Sequence, residues 1–406
     1  MTTLRAGTPE EAGMLPDRVD RVKALAEGWV ADGVTPSLVV LAARRGVIFL
    51  HEAYGVLTPE PDSPPLMLDT VFPLSSVTKP FTAACVMMLA EDGLAGLVRP
   101  IRDYFPEISA EGTEEILVHH LLTHLSGWDG LDVAVEMQRR RKAEDELPPP
   151  APGQHPDVAA GIHLGSATPL ACPPGEAMQY CNYNYALLGD LIRRVGGTSI
   201  EHFAEERIFE PLDMHDSSYV LPPEHRERKV LRAEDAPSAA FAGRLMAGID
   251  SERFEGQPSG ASGMHSSAHD LAVFAQMLMN GGTYDDRRIL SGASVEAMRR
   301  NQVPQGAPVQ RSVLVDGQRL TRDFGGGYGY GLFPFLGSVT PYINGGLASP
   351  SSFGHVGAAG SYFWADPERE LVGVYLSVVP RFLDDGITPD WRSDLFVDAV
   401  TAAVAD

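Results

Sequence analysis

The chain has 406 residues, 44% of them hydrophobic, and a formal net charge of -22 at pH 7. That length can bury a large core and divide into two lobes. Such an acidic balance repels a nucleic-acid backbone, so DNA and RNA are excluded as partners.

The basic run Arg139-Arg140-Arg141-Lys142 is answered at once by Glu144-Asp145-Glu146 and reads as a solvated face. Residues Met1 to Pro16 carry acids and no apolar core, unlike a secretory signal, and no stretch is apolar enough to span a bilayer. A cytoplasmic protein with no membrane partner is the expectation. Three cysteines, Cys85, Cys172 and Cys181, lack ligand-like spacing, so neither a disulfide framework nor a zinc site is indicated, and no cofactor is called for.

In chain order, Leu15 to Ala31 predicts a helix, with Pro16 in its first turn and Val19, Val22, Ala26, Trp29 and Val30 at helical spacing. Ser37 to Ala43 and Val47 to Tyr54 flank the turn Arg44-Arg45-Gly46 as an antiparallel hairpin. Near the other end, Gly360 to Ala365 and Leu371 to Val378 flank Asp366-Pro367-Glu368-Arg369 in the same way, and Trp391 to Val404 predicts a closing helix. One antiparallel sheet built from both ends and covered by both helices follows.

The middle is predicted to be mostly helical, with helices over Leu117 to Leu125, Asn184 to Val195 and Asp270 to Met279. The last has a capping box at Ser267-Ala268-His269-Asp270 and Gly281-Gly282 at its end. Leu147 to Pro156 holds too many prolines for either element and reads as a long loop or lid.

Three stretches can carry chemistry. In Ser76-Val77-Thr78-Lys79, a hydroxyl and an amine three positions apart share one helix face ahead of the apolar run Cys85 to Leu89. A lysine made neutral by desolvation can take the serine's proton and make it a nucleophile. In Tyr180-Cys181-Asn182, the phenol can relay a proton and the amide can hold a carbonyl or orient the lysine. The same loop also suits simple aromatic packing. In His355-Val356-Gly357, the glycine lets a substrate approach the backbone, and the next N–H can point into a cleft; a β-bulge with a satisfied histidine is the alternative.

Ser-x-x-Lys, then Tyr-x-Asn, then His-x-Gly before the last strands resembles the serine β-lactamase and penicillin-binding protein superfamily, and within it the class C branch. That branch includes class C β-lactamases, D-alanyl-D-alanine carboxypeptidases and family VIII carboxylesterases. Leu68 to Phe72, His120 to Gly127, Leu187-Leu188-Gly189 and Gly263 to Ala272 agree with it, so the resemblance covers most of the chain.

The resemblance implies an α/β (α+β) fold of β-lactamase type: a sheet lobe from 1–78 and 297–406, a mostly helical lobe from 79–296, and the active site between them. It implies Ser76 as the acylated nucleophile, Lys79 and Tyr180 as a coupled general base, and the N–H groups of Ser76 and Ala358 as an oxyanion hole. Asn182, His355 and Gly357 would complete the site. Loops at Trp128 to Pro173 and Arg322 to Leu336 would line it, with Trp128 and Tyr328 as substrate contacts.

No Gly-x-Ser-x-Gly occurs, which disfavours an α/β-hydrolase. His265 and His269, and His119, His120 and His124, read as structural, so no metal is expected. Where class C β-lactamases carry Lys-Thr-Gly, this chain has a histidine, which attracts an anionic β-lactam less than a fixed cation does. The leading expectation is therefore a serine carboxylesterase of the family VIII type acting on small-molecule, short- to medium-chain esters, with weak β-lactam hydrolysis. The alternatives are an amidase, D-amino-acid peptidase or β-lactamase of the same fold, an acyltransferase, and an inactive binding module.

Overall fold

A computed structural model of the chain describes residues 2–232, 248–315, 317–323, 326–335, 345–379 and 392–405. The chain opens with β1 (Arg5–Ala6), helix α1 (Pro16–Ala31) and the hairpin β2 (Ser37–Arg44) and β3 (Val47–Gly55). Arg45 and Gly46, at φ 51° and 79°, make the tight turn. The short β4 (Phe72–Pro73) then leads into the long helix α2 (Thr78–Glu91).

A helical stretch follows: α3 (Val118–Leu122), α4 (Gly130–Lys142), α5 (Pro156–Gly165), the short β5 (Met178–Gln179), α6 (Asn182–Gly196), α7 (Ile200–Ala204) and α8 (Glu252–Glu255). After it come β6 (His265–Ser266), α9 (Ala268–Met279), the hairpin β7 (Thr283–Tyr284) and β8 (Arg287–Arg288), and α10 (Gly292–Arg299). A ribbon of β9 (Val309–Val315) and β10 (Gln318–Asp323) precedes β11 (Phe333–Pro334), β12 (Phe353–Gly357), β13 (Ser361–Asp366), β14 (Leu371–Ser377) and α11 (Ser393–Thr401).

Both chain ends meet in one seven-stranded sheet of order β1-β3-β2-β14-β13-β12-β11, antiparallel except where β1 joins β3. At its centre β2 pairs with β14, with Leu41 opposite Val374. Every residue of β2, β13 and β14 is buried, because the sheet is covered on both faces. Strand alternation sends Val40, Tyr362, Trp364 and Tyr375 to one side, where α1 and α11 supply Val22, Trp29, Phe396 and Val400.

Val39, Leu41, Phe363 and Val374 point to the other side and pack on α9. Ser267 caps α9 by accepting from the N–H of Asp270. This helix falls within 79–296, yet it lies on the sheet. Its core is continuous with that of the helical part, joining Phe363 and Phe274 to Phe81, Leu121, Tyr185 and Leu188. The proline-rich residues 147–155 form a loop between α4 and α5.

Candidate active site

Ser76 is the one residue between Val71 and Leu89 that is not buried. The strand that leads to it, β4, pairs with β6, and the N–H of Leu74 donates to the carbonyl of Met264 (2.8 Å). Ser75 then takes a left-handed φ of 51°, and Ser75–Val77 form one 3-10 turn feeding straight into α2. Pro80 fits within the first turn of α2, where its missing N–H costs nothing. Further along, Thr78 Oγ1 accepts from the N–H of Met264 (3.1 Å) and Thr82 Oγ1 donates to the carbonyl of Gly260 (2.7 Å).

Lys79, one turn on, is fully buried. Its Nζ donates to Ser76 Oγ (3.1 Å) and to the carbonyl of Ala261 (2.8 Å), and lies 4.9 Å from the centre of the Tyr180 ring. Burial, and then the positive charge of Arg311, hold its pKa well below the ordinary lysine value. An amine in this state can receive the Ser76 proton through the contact it already makes.

Tyr180 stands just before α6, its N–H donating to the carbonyl of Gln310 in β9 (3.1 Å). The same ribbon brings the Arg311 guanidinium to 5.7 Å from the Tyr180 ring. His124, at φ 57°, lies 4.4 Å from that ring, and the rings of Tyr185 and Tyr328 are 5.1 and 4.9 Å away. Its Nδ1 accepts from the N–H of Cys181 (3.2 Å) and faces the Asn184 side-chain nitrogen (3.4 Å), which assigns the ring proton to Nε2. Burial, then Lys79 and His355, hold the His124 pKa well below the ordinary histidine value. Ser126 Oγ donates to Asn184 Oδ1 (2.9 Å), fixing that amide.

The third stretch is β12. Its pairing with β13 sets Gly357 opposite Ser361, and Ala358 follows in the turn. Gly357 is required by close approach: a Cβ there would lie 2.2 Å from the carbonyl oxygen of Leu74 and 2.2 Å from Ser361 Oγ, which itself donates to Leu74 (2.6 Å). The Ala358 turn is therefore locked to the segment that carries Ser76. Arg232 holds it from behind, donating to the carbonyl of Ala359 (2.8 Å) while pairing with Asp250 (3.1 Å).

The residues singled out by sequence do not all face the cleft. Ser76, Lys79 and Tyr180 come together, and Gly357 and Ala358 adjoin them through Leu74. Asn182, the first residue of α6, is exposed and lines a cavity beside Tyr180. His355 is fully buried, with Nδ1 donating to the carbonyl of Val356 (2.8 Å) and Nε2 facing the hydroxyl of Tyr328 (3.2 Å). Tyr328 is buried too, as a support beneath Tyr180.

Trp128 lies in the core, its indole N–H donating to the carbonyl of Thr168 (3.1 Å) and its ring edge-on to Tyr183, away from the cavity. Of the Arg322 to Leu336 loop, residues 324, 325 and 336 lie outside the described residues. Sequence reading missed Arg311, Ala261 and Arg232. Arg311 alone carried a signal, as a charge inside the β-rich run Val309 to Val315.

The beta-lactamase family model matches residues 22–392. The chain belongs to the beta-lactamase family. It is a serine hydrolase of the β-lactamase and penicillin-binding protein superfamily, as the order of its three motifs implied. Esterase EstB of Burkholderia gladioli is 27% identical over 377 residues, covering 87% of this chain and 86% of EstB. A penicillin-binding protein homologue from Caulobacter crescentus has the same fold, with a TM-score of 0.72, 23% identity, and coverage of 96% of this chain and 99% of that one. A family VIII carboxylesterase matches with a TM-score of 0.70 and 20% identity, covering 96% of this chain and 99% of that one.

Proposed function

We propose that the protein is a carboxylesterase that cleaves short- to medium-chain esters through an acyl-enzyme on Ser76. The observation that carries this reading is the burial of Lys79 between Ser76 Oγ and the Ala261 carbonyl, where its charged form is disfavoured. Ser76 Oγ attacks the ester carbonyl as its proton passes to the Lys79 and Tyr180 pair, which titrates as one unit. The N–H groups of Ser76 and Ala358 receive the oxyanion. Collapse of the tetrahedral adduct breaks the bond to the alcohol, which leaves with the pair's proton. Water then repeats the sequence, releasing the acid and restoring Ser76.

The third motif favours an ester over an anionic β-lactam. His355 is buried and engaged with Tyr328 and the Val356 carbonyl, so it offers no fixed cation for a substrate carboxylate. The relation to Esterase EstB supports the same choice. Turnover of p-nitrophenyl acetate and butyrate should disappear in Ser76→Ala, together with the acyl-enzyme mass seen on quenching the parent. Wild-type turnover in that variant would refute the assignment, and faster turnover of nitrocefin than of butyrate would refute the ester preference.

A further inference from the structure

Next to Tyr180 the cleft continues into a cavity of about 370 Å³, and its walls say what it takes. On α4 the lining residues Gly130, Val133, Met137 and Arg141 recur at helical spacing, so the cavity runs along one helix face. Those positions span about 16 Å at 1.5 Å per residue. Val158 and Gly161 of α5 and Ala186 of α6 line the same space. Polar groups gather at its two ends. Asn182, Tyr180, Arg311 and Ala261 stand at the near end, and the Ala261 carbonyl is the one that holds Lys79. Arg141 and Asp157 stand at the far end, where Asp157 is ion-paired to Arg253 of α8 (2.7 Å), tying α5 across to the segment on the opposite wall.

Gly161 has unfilled space in front of it, since a Cβ there would meet only the Met137 methyl group, at 3.8 Å.

We propose that this cavity is the acyl-chain site, and that the preferred substrates are esters of linear, uncharged acids of about eight carbons, since the wall from Gly130 to Met137, short of Arg141, is about 10 Å long and an extended chain advances ~1.2 Å per bond. The inference rests on the ester reading above. Between the two half-reactions the acyl group stays on Ser76 while alcohol leaves and water enters. A recess that begins at the general base and is tied across by Asp157 and Arg253 suits the part that stays. Its cations stand only at the two ends, Arg311 beside Tyr180 and Arg141 opposite, while the stretch between them, from Val133 to Met137 and Val158, is apolar and suits an uncharged chain.

The test is kcat/KM for p-nitrophenyl esters from acetate to laurate, for the parent and Gly161→Leu. In the parent, octanoate should exceed acetate by at least about tenfold. In Gly161→Leu, whose side chain fills the middle of the cavity, the octanoate-to-acetate ratio should fall by about tenfold or more. A flat profile in the parent, or an unchanged ratio in the variant, overturns the proposal. Acetate esters of alcohols of increasing length form the second arm. If chain length there matters and responds to Gly161→Leu, the cavity holds the alcohol and the acyl assignment is overturned.

A third arm separates this inference from the ester reading. Alkyl fluorophosphonates lose fluoride as Ser76 Oγ bonds to phosphorus, and their rates can be read by intact mass without any ester turnover. Faster labelling by the octyl than the ethyl reagent, sensitive to Gly161→Leu, upholds the cavity even if no ester is hydrolysed. Equal rates, or no labelling of Ser76, overturn it.

Discussion

On the sheet side of the cleft, what faces Ser76 is backbone: the Gly357 to Ala358 turn, pressed against Leu74 and held from behind by Arg232. On the helical side it is ionisable side chains: Lys79 and Tyr180, with His124, Tyr185 and Tyr328 packed around them. The first wall works by close approach and is sensitive to volume. The second works by desolvation and is sensitive to charge. In the mechanism proposed above, this separates two demands: the rigid wall fixes where the oxyanion forms and the buried wall fixes when a proton can move.

The contrast can be broken most sharply at Lys79. Lys79→Met should lower turnover by ~10⁴-fold or more, since the serine loses its base. At neutral pH it should also raise Tm by about 2 °C, because the parent buries an amine whose folded pKa lies well below 10.5. Below that unfolded value, unfolding of the parent takes up a proton, so the parent loses stability as pH falls. The gain in the variant should therefore shrink as pH rises toward 10.5. Thermal melts across pH decide this, and a lower Tm in the variant would contradict it.

Gly357→Ala attacks the other wall and should lose both properties. Its methyl group must part β12 from Leu74, so kcat should fall by ~10²-fold and Tm should fall as well. Near-normal kcat in this variant would detach the Ala358 N–H from catalysis.

Two arginines sharpen the comparison at smaller effect. Arg232→Met should lower kcat by about tenfold with KM little changed, because the Ala359 carbonyl loses its tether, and the pH profile should stay in place. Arg311→Gln should do the reverse. Arg311 is the second cause, after burial, of the lowered Lys79 pKa, so its removal raises that pKa and moves the acid limb of kcat/KM to higher pH. A limb that stays put or moves to lower pH would remove Arg311 from the account.

The frame was legible because it is local. Pro16, the Arg45-Gly46 turn and the Ser267 cap mark their elements within a few residues, and the elements form where those signals stand. The Ser76 and Lys79 pair was legible for the same reason, being three positions apart. The surroundings of that pair were not. Arg311 reaches Tyr180 on a ribbon about 130 residues further along, and Ala261 meets Lys79 across 182 residues. The Trp128 indole also misled, since an aromatic in a glycine-flanked loop looks the same in sequence whether it lines a cleft or, as here, packs under Tyr183.

The bond from Ser361 Oγ to the Leu74 carbonyl spans 287 residues. At ordinary rates of protein synthesis, roughly 15 to 60 s separate the two ends of that bond. For most of that time the nascent chain already holds Ser76 and Lys79, but neither the Ala358 turn nor β13, whose Ser361 braces Leu74, has been made. The sheet beside the serine is thus completed only when its last strands pair beside its first.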